Sequence, residues 1–222
     1  MTAPEHQRHT VVTFSRVEQS GDCALAAARI IQRVNGKGLD VDLIVRGAPP
    51  EIVGRARRLL SSEAGRAVDV RPYVVDRADI VADLAQADAV IMPVRPKGFG
   101  AVGLDAALEG VPLLVPITSG IGIFLADPSR YPAELVEHVL VEQDFDEPVP
   151  LDRWVGKLHA LLTDLPRSRE RAHTLKHHLR EQNRTRDGAT ESLAAIDRAA
   201  LAAANKEHIR YSAPGGDGDG RR

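Results

Sequence analysis

The sequence predicts an α/β domain built on a parallel sheet of about six strands, and three features predict it. Short apolar runs alternate with longer segments of helical spacing from Thr10 to Val141. That rhythm is the pattern of βαβ units, whose parallel strands cross over right-handedly. The runs at 89–92 and 112–116 are apolar throughout rather than alternating, as strands covered on both faces must be. Turns rich in glycine and proline punctuate the runs, most densely at 93–100. Such a sheet is Rossmann-like, and its ligand crevice lies beyond the carboxyl ends of the strands, near the turns after Ser15, Met92 and Pro116.

In chain order, residues 10–15 (TVVTFS) are β-branched and form the first strand. The polar turn at 16–22 ends on Asp22, which can cap the alanine-rich helix at 23–34. The Asn-Gly-Lys-Gly sequence at 35–38 stops that helix ahead of a strand at 41–45. Residues 50–64 carry apolar and basic side chains at helical spacing, 68–75 read as a strand, and 76–86 as an amphipathic helix. Then come the strand at 89–92, a turn, the short helix Ala101–Glu109, the strand at 112–116 and the loop Thr118-Ser119-Gly120-Ile121-Gly122. The last strand is expected at 139–141, before an acidic turn at 142–147. Helices at 151–165 and 166–182 follow, Pro166 being suited to a first helical turn, and a final alanine-rich helix spans 190–206. The division expected is a flexible start at 1–9, a ligand-binding Rossmann-like domain at 10–165, helices at 166–207 packing on it, and a tail at 208–222, disordered by composition.

With 222 residues, 43% of them hydrophobic, the chain can bury one substantial α/β core. A net charge of -2 points to neither nucleic acid nor an acidic membrane surface. No apolar run approaches the roughly 18 residues of a membrane span, and the start MTAPEHQRHT lacks a signal-peptide pattern, so the expected location is cytoplasmic. Cys23 is the one cysteine, which excludes an internal disulfide and a thiolate cluster; on an alanine-rich helix it reads as core. No Ser-His-Asp or Cys-His set can be placed in one crevice, which disfavours hydrolysis by a nucleophilic side chain.

The turn Gly98-Phe99-Gly100 leads straight into a helix N-terminus. Unpaired amides and the positive end of the helix dipole make an anion site there, and glycines let a phosphate approach the backbone. A phosphorylated ligand follows, lying against Gly98, Phe99, Gly100, Ala101 and Val102. Lys97 puts a cation just ahead of that N-terminus, where the dipole disfavours it by ~0.3–1 kcal/mol. It either contacts the phosphate or is a solvated or ion-paired surface lysine. Asp105, one and a half turns into the helix, either accepts hydrogen bonds from a sugar's vicinal hydroxyls or is an exposed acid favoured early in a helix. Thr118 and Ser119 offer hydroxyls and amides to a phosphate, or belong to a tight strand-to-helix connection.

Other groups read blandly. His173 and His177 share a helix face, with Glu170 three residues before, but no further ligand can be placed, and no metal site is assigned. Residues 167–186 hold seven Arg or Lys against two Glu without aromatic interleaving, as a solvated face does. Trp154 reads as a packing anchor.

The stretch Lys97-Gly98-Phe99-Gly100-Ala101-Val102-Gly103-Leu104-Asp105-Ala106, followed by Gly110-Val111-Pro112-Leu113-Leu114-Val115, resembles the donor-sugar motif of retaining GT-B glycosyltransferases (group 1, family 4-like). That motif reads Glu-Gly-Phe-Gly, four residues, Glu-Ala, then Gly-x-Pro and a strand. The resemblance spans roughly residues 10–165 and implies the donor-binding, C-terminal half of such an enzyme. It implies that the residue at 97 meets the hexose, the glycine turn meets sugar and phosphates, and Asp105 holds the ribose. Both acids are altered, to Lys97 and to the shorter Asp105. Ser15, Arg16, Ser20 and Gly21 fall on the family's Gly-Arg-x-x-x-x-Lys-Gly turn, whose Arg and Lys bind the donor diphosphate; Arg16 matches and Ser20 replaces the lysine.

The implied ligand is a nucleoside diphosphate or nucleoside-diphosphate sugar, with no cofactor. The implied activity is hexose transfer, with a partner protein or self-association supplying the acceptor half. The alternative is a catalytically inactive nucleotide sensor or interaction module retaining the fold, a reading favoured by Ser20 and Lys97.

Overall fold

A computed structural model describes residues 7–15, 17, 22–74, 76–93, 100–143 and 148–185. Six strands form one parallel sheet: β1 (Arg8–Phe14), β2 (Asp40–Ala48), β3 (Val68–Pro72), β4 (Ala89–Ile91), β5 (Leu113–Pro116) and β6 (Leu140–Val141). Their order is β3-β2-β1-β4-β5-β6. The chain reverses its direction of travel between β1 and β4, the switch point where such sheets open a crevice. The longest register pairs Arg8 with Asp40 through Phe14 with Arg46.

The helices are α1 (Asp22–Asn35), α2 (Val53–Ala64), α3 (Arg77–Ala85), α4 (Ala101–Glu109), α5 (Gly120–Leu125), α6 (Ala133–Val136), α7 (Leu151–Thr163) and α8 (Leu165–Thr185). A single 3-10 turn, Pro50–Ile52, precedes α2. The two-residue period of the strands sends side chains to opposite faces and so builds two cores. Val11, Leu43, Val45, Ile91 and Leu114 meet α1, α2 and α7 on one face. Val12, Ile44, Val90, Leu113 and Val115 meet α3, α4, α5, α6 and α8 on the other. Trp154 is fully buried in the first core, and its indole Nε1 donates to Gln143 Oε1 at 3.0 Å. Cys23 is buried, with its Sγ 4.0 Å from the hydroxyl of Thr13.

Several expected boundaries shift. β2 runs three residues beyond Val45, while β3 stops at Pro72, whose missing N–H cannot extend a ladder. Asp76 caps α3 by accepting from the Ala78 amide at 2.9 Å, so the helix proper starts at Arg77. The stretch expected as a small-residue loop after β5 instead begins a helix at Gly120. The four-residue α6 had no periodic signal at all. The helix expected at 190–206 and the tail lie outside the described residues.

Where β2 and β3 meet α3, a charged cluster adds to the apolar contact of Ile44 with Leu84. Asp83 of α3, with its side chain 1% exposed, accepts from Arg46 Nε at 2.5 Å and Nη2 at 2.8 Å, and also from Arg71 Nη1. Arg46 and Arg71 point to this face because they alternate with the inward residues Val45 and Val70. The three side chains tie β2, β3 and α3 into one unit.

Candidate functional site

The crevice is framed by the carboxyl ends of β1, β4 and β5, which lie side by side in the sheet. After β1 the chain continues along β2: the Ser15 amide donates to Arg46 O at 2.9 Å and the Val17 amide to Gly47 O at 3.3 Å. After β4, the helix α4 opens on Gly100, whose φ of +81° is the left-handed conformation that a side chain opposes. A Cβ there would also lie 3.2 Å from Ile121 Cγ2. The next glycine along, Gly103, lets the start of α4 settle against Met92 Sδ and Ile121 Cδ1, each 3.2 Å from where a Cβ would stand. The Gly103 amide bonds back to Gly100 O at 2.8 Å. Helix geometry leaves the amides of Ala101 and Val102 as the donors at the positive end.

Asp105 lies on the same helix, and its Oδ1 accepts from Arg77 Nη2 at 2.8 Å. Burial raises the carboxyl above its ordinary range; Arg77 pulls it back down and Glu109 adds to the rise. The result is a partly buried acid held by a cation from the first turn of α3, with Oδ2 left as an acceptor. Arg77 was missed in the sequence, although a cation at a helix N-terminus, immediately after the cap Asp76, was a signal of the same kind as Lys97.

After β5, the two hydroxyls of the small-residue stretch are turned into the protein. Ser119 caps α5: its Oγ donates to Pro116 O at 2.7 Å and accepts from the Gly122 amide at 3.0 Å. Thr118 Oγ1 donates to Gln143 O at 2.9 Å. Gly122 is required by contact, since a Cβ there would stand 2.0 Å from Pro116 O. What this turn does is pack the start of α5 tightly over the end of β5 and bring Ile121 under α4.

Thus Ala101, Val102 and Asp105 share one helix, capped by Gly100, beside the switch point, with Ser15 just past the end of β1. Thr118 and Ser119 belong to the supporting turn. Arg16, Ser20, Gly21, Lys97, Gly98 and Phe99 lie outside the described residues. His173 and His177, read above as a solvated pair, are exposed on α8, where the ring of His173 lies against Gly110. No helix among the described residues is long and apolar enough to cross a membrane.

Comparison with solved structures places this sheet among glycosyltransferase domains. The catalytic domain of cholesterol-alpha-glucosyltransferase from Helicobacter pylori superposes with a TM-score of 0.59 at 13% identity, over 78% of this chain and 98% of that one. The C-terminal domain of the glycosyl transferase group 1 family protein LpcC from Francisella tularensis gives 0.59 at 15%, over 78% and 85%. TarM gives 0.61 at 16%, over 88% of this chain but only 37% of its own length. At these identities the likeness is one of fold, a single half of the GT-B architecture. No curated protein sequence matches the chain. The model of a family described as "Family 4 Glycosyltransferase in conflict systems" matches residues 1–193. By that match the chain belongs to the family 4 glycosyltransferases of conflict systems.

Proposed function

We propose that the chain binds a nucleoside diphosphate or nucleoside-diphosphate sugar in the crevice beyond β1 and β4, and transfers a hexose when a second domain closes over it. The observation that carries this reading is the start of α4 at the switch point: amide donors at its first turn, and an acid anchored one and a half turns further on. The amides of Ala101 and Val102 suit a phosphate, which the helix dipole favours by ~0.3–1 kcal/mol or more. Asp105, steadied by Arg77, suits a pair of ribose hydroxyls. The first nucleotide to try is a uridine one, since a structural neighbour from Burkholderia xenovorans is a UDP-forming trehalose-phosphate synthase. That neighbour is more than twice as long as the match, which covers 45% of it, and a partner protein or a second copy could supply an acceptor-binding half.

Release of free UDP from UDP-glucose, abolished by Asp105→Ala, is the result expected of a transferase. The second reading, a nucleotide sensor without turnover, draws on Ser20 and Lys97, which replace a family cation and a family acid. It requires that UDP raise the melting temperature while no sugar nucleotide is consumed. If neither UDP nor UDP-glucose shifts the melting temperature or is turned over, uridine-nucleotide binding is rejected.

A further inference from the structure

A second hollow lies at the other ends of β5 and β6, away from the crevice. It encloses about 220 Å³ between Pro112 at the start of β5, His138 just before β6, Lys157 and Leu161 of α7, and Ser168 and Arg171 of α8. No carboxylate lines it. Lys157 Nζ donates one hydrogen bond, to Glu137 O at 2.7 Å, which leaves two of its three protons unspent. Arg171, exposed on α8, forms no ion pair or hydrogen bond among the described residues, and neither ring nitrogen of His138, both shut off from solvent, has a partner there. Burial first, then Arg171 and Lys157, lower the His138 pKa to about 4. Its imidazole is therefore neutral at pH 7, with one N–H to donate.

Two cations and an unpartnered imidazole thus meet around this hollow, and the carboxylates that act on Lys157, Glu137 and Glu142, do not line it. Buried polar groups are normally satisfied, and a cluster of like charge is relieved by an anion. The same three residues also line a larger hollow of about 940 Å³ that runs along β6, walled by Ile117, Tyr131, Val136 and Leu140. Of the acids lining that larger space, Asp152 is paired with Arg33 and Glu142 with Arg153, while Glu137 and Glu142 both act on Lys157.

We propose that His138, Lys157 and Arg171 bind a phosphate-sized anion, carried as a monoester whose apolar part lies along β6. The site is separate from the nucleotide crevice and does not depend on the reading given for it. The test is calorimetric titration of the full chain at pH 7 with inorganic phosphate and with phenyl phosphate. Lys157→Gln and Arg171→Gln should each weaken binding about ten- to hundredfold, as loss of a charge-assisted hydrogen bond does. Arg167→Gln, which removes the same charge from the same helix outside the hollow, should leave affinity within about twofold, as expected of an exposed charge. Tighter binding of phenyl phosphate supports the monoester; equal binding overturns that part and leaves a site for free phosphate. In the unmutated chain, phosphate should move the His138 ring resonances and raise the pH at which they titrate. No saturable binding at millimolar concentration, an equal loss in Arg167→Gln, or unmoved His138 resonances would overturn the proposal.

Discussion

Removing the carboxylate of Asp105 tests the crevice most directly. Its Oδ1 is held by Arg77 at 2.8 Å, in a bridge whose side chains are 23% and 63% exposed. A bridge of that exposure contributes ~0.2–1 kcal/mol to the fold, so Asp105→Ala should leave global stability nearly intact. A hydrogen bond from a ribose hydroxyl to a charged acceptor is worth ~1.5–3 kcal/mol, so the same change should weaken UDP binding about 10- to 150-fold. The ionised carboxylate is the acceptor, and burial raises its pKa above 3.8 against the pull of Arg77. UDP affinity should therefore fall with acid, at a pH above 3.8. In Arg77→Ala that fall should come at a still higher pH, because the one group lowering the pKa directly is gone. Calorimetric titration of UDP across pH for the wild type and both variants reads all three effects. Asp105→Ala binding UDP within about twofold of wild type, or Arg77→Ala moving the acid fall downward, would refute the reasoning.

Three other perturbations probe the scaffold. Asp83→Ala removes the carboxylate shared by two guanidinium groups, leaving Arg46 the Pro72 carbonyl and Arg71 its bonds to Asp69 and Gln86, and should cost ~1.5–3 kcal/mol; urea unfolding measures it, and a loss below ~1 kcal/mol would make the cluster merely superficial. Gly122→Ala should lower the melting temperature despite the better helix propensity of alanine, since its Cβ would meet Pro116 O at 2.0 Å. His138 sets a pH dependence of stability. Protonation begins near 6.5 in the unfolded chain but near 4 in the folded one, where Arg171 and Lys157 face the ring, so stability is lost as pH falls across that window. At 1.36 kcal/mol per pH unit the limit is ~3 kcal/mol, reduced to ~1–2 kcal/mol because the ring is only partly enclosed. Unfolding curves for His138→Gln at pH 7 and pH 4.5 should show that much less acid sensitivity than wild type, and identical acid sensitivity would contradict the account.

The parallel sheet, its strand count and the helix Ala101–Glu109 were legible before any coordinates, because they follow from local period and from glycine and proline punctuation. Apolar runs such as the one at 89–92 admit few other folds when helices separate them. Residues that act through partners distant in the chain were not legible. Thr118 and Ser119 look like free hydroxyls until Gln143, 25 residues later, and the Pro116 carbonyl are seen to claim them. Asp105 looks like a lone acid until α3 brings Arg77 beside it across 28 residues. His138, Lys157 and Arg171 carry no motif at all, and only the packing of α7 and α8 against the β6 end of the sheet makes them one cluster. Periodicity is a property of neighbours along the chain, whereas a binding site is a property of neighbours in space; the fold was therefore readable from order, and the sites depended on how the helices closed over the sheet.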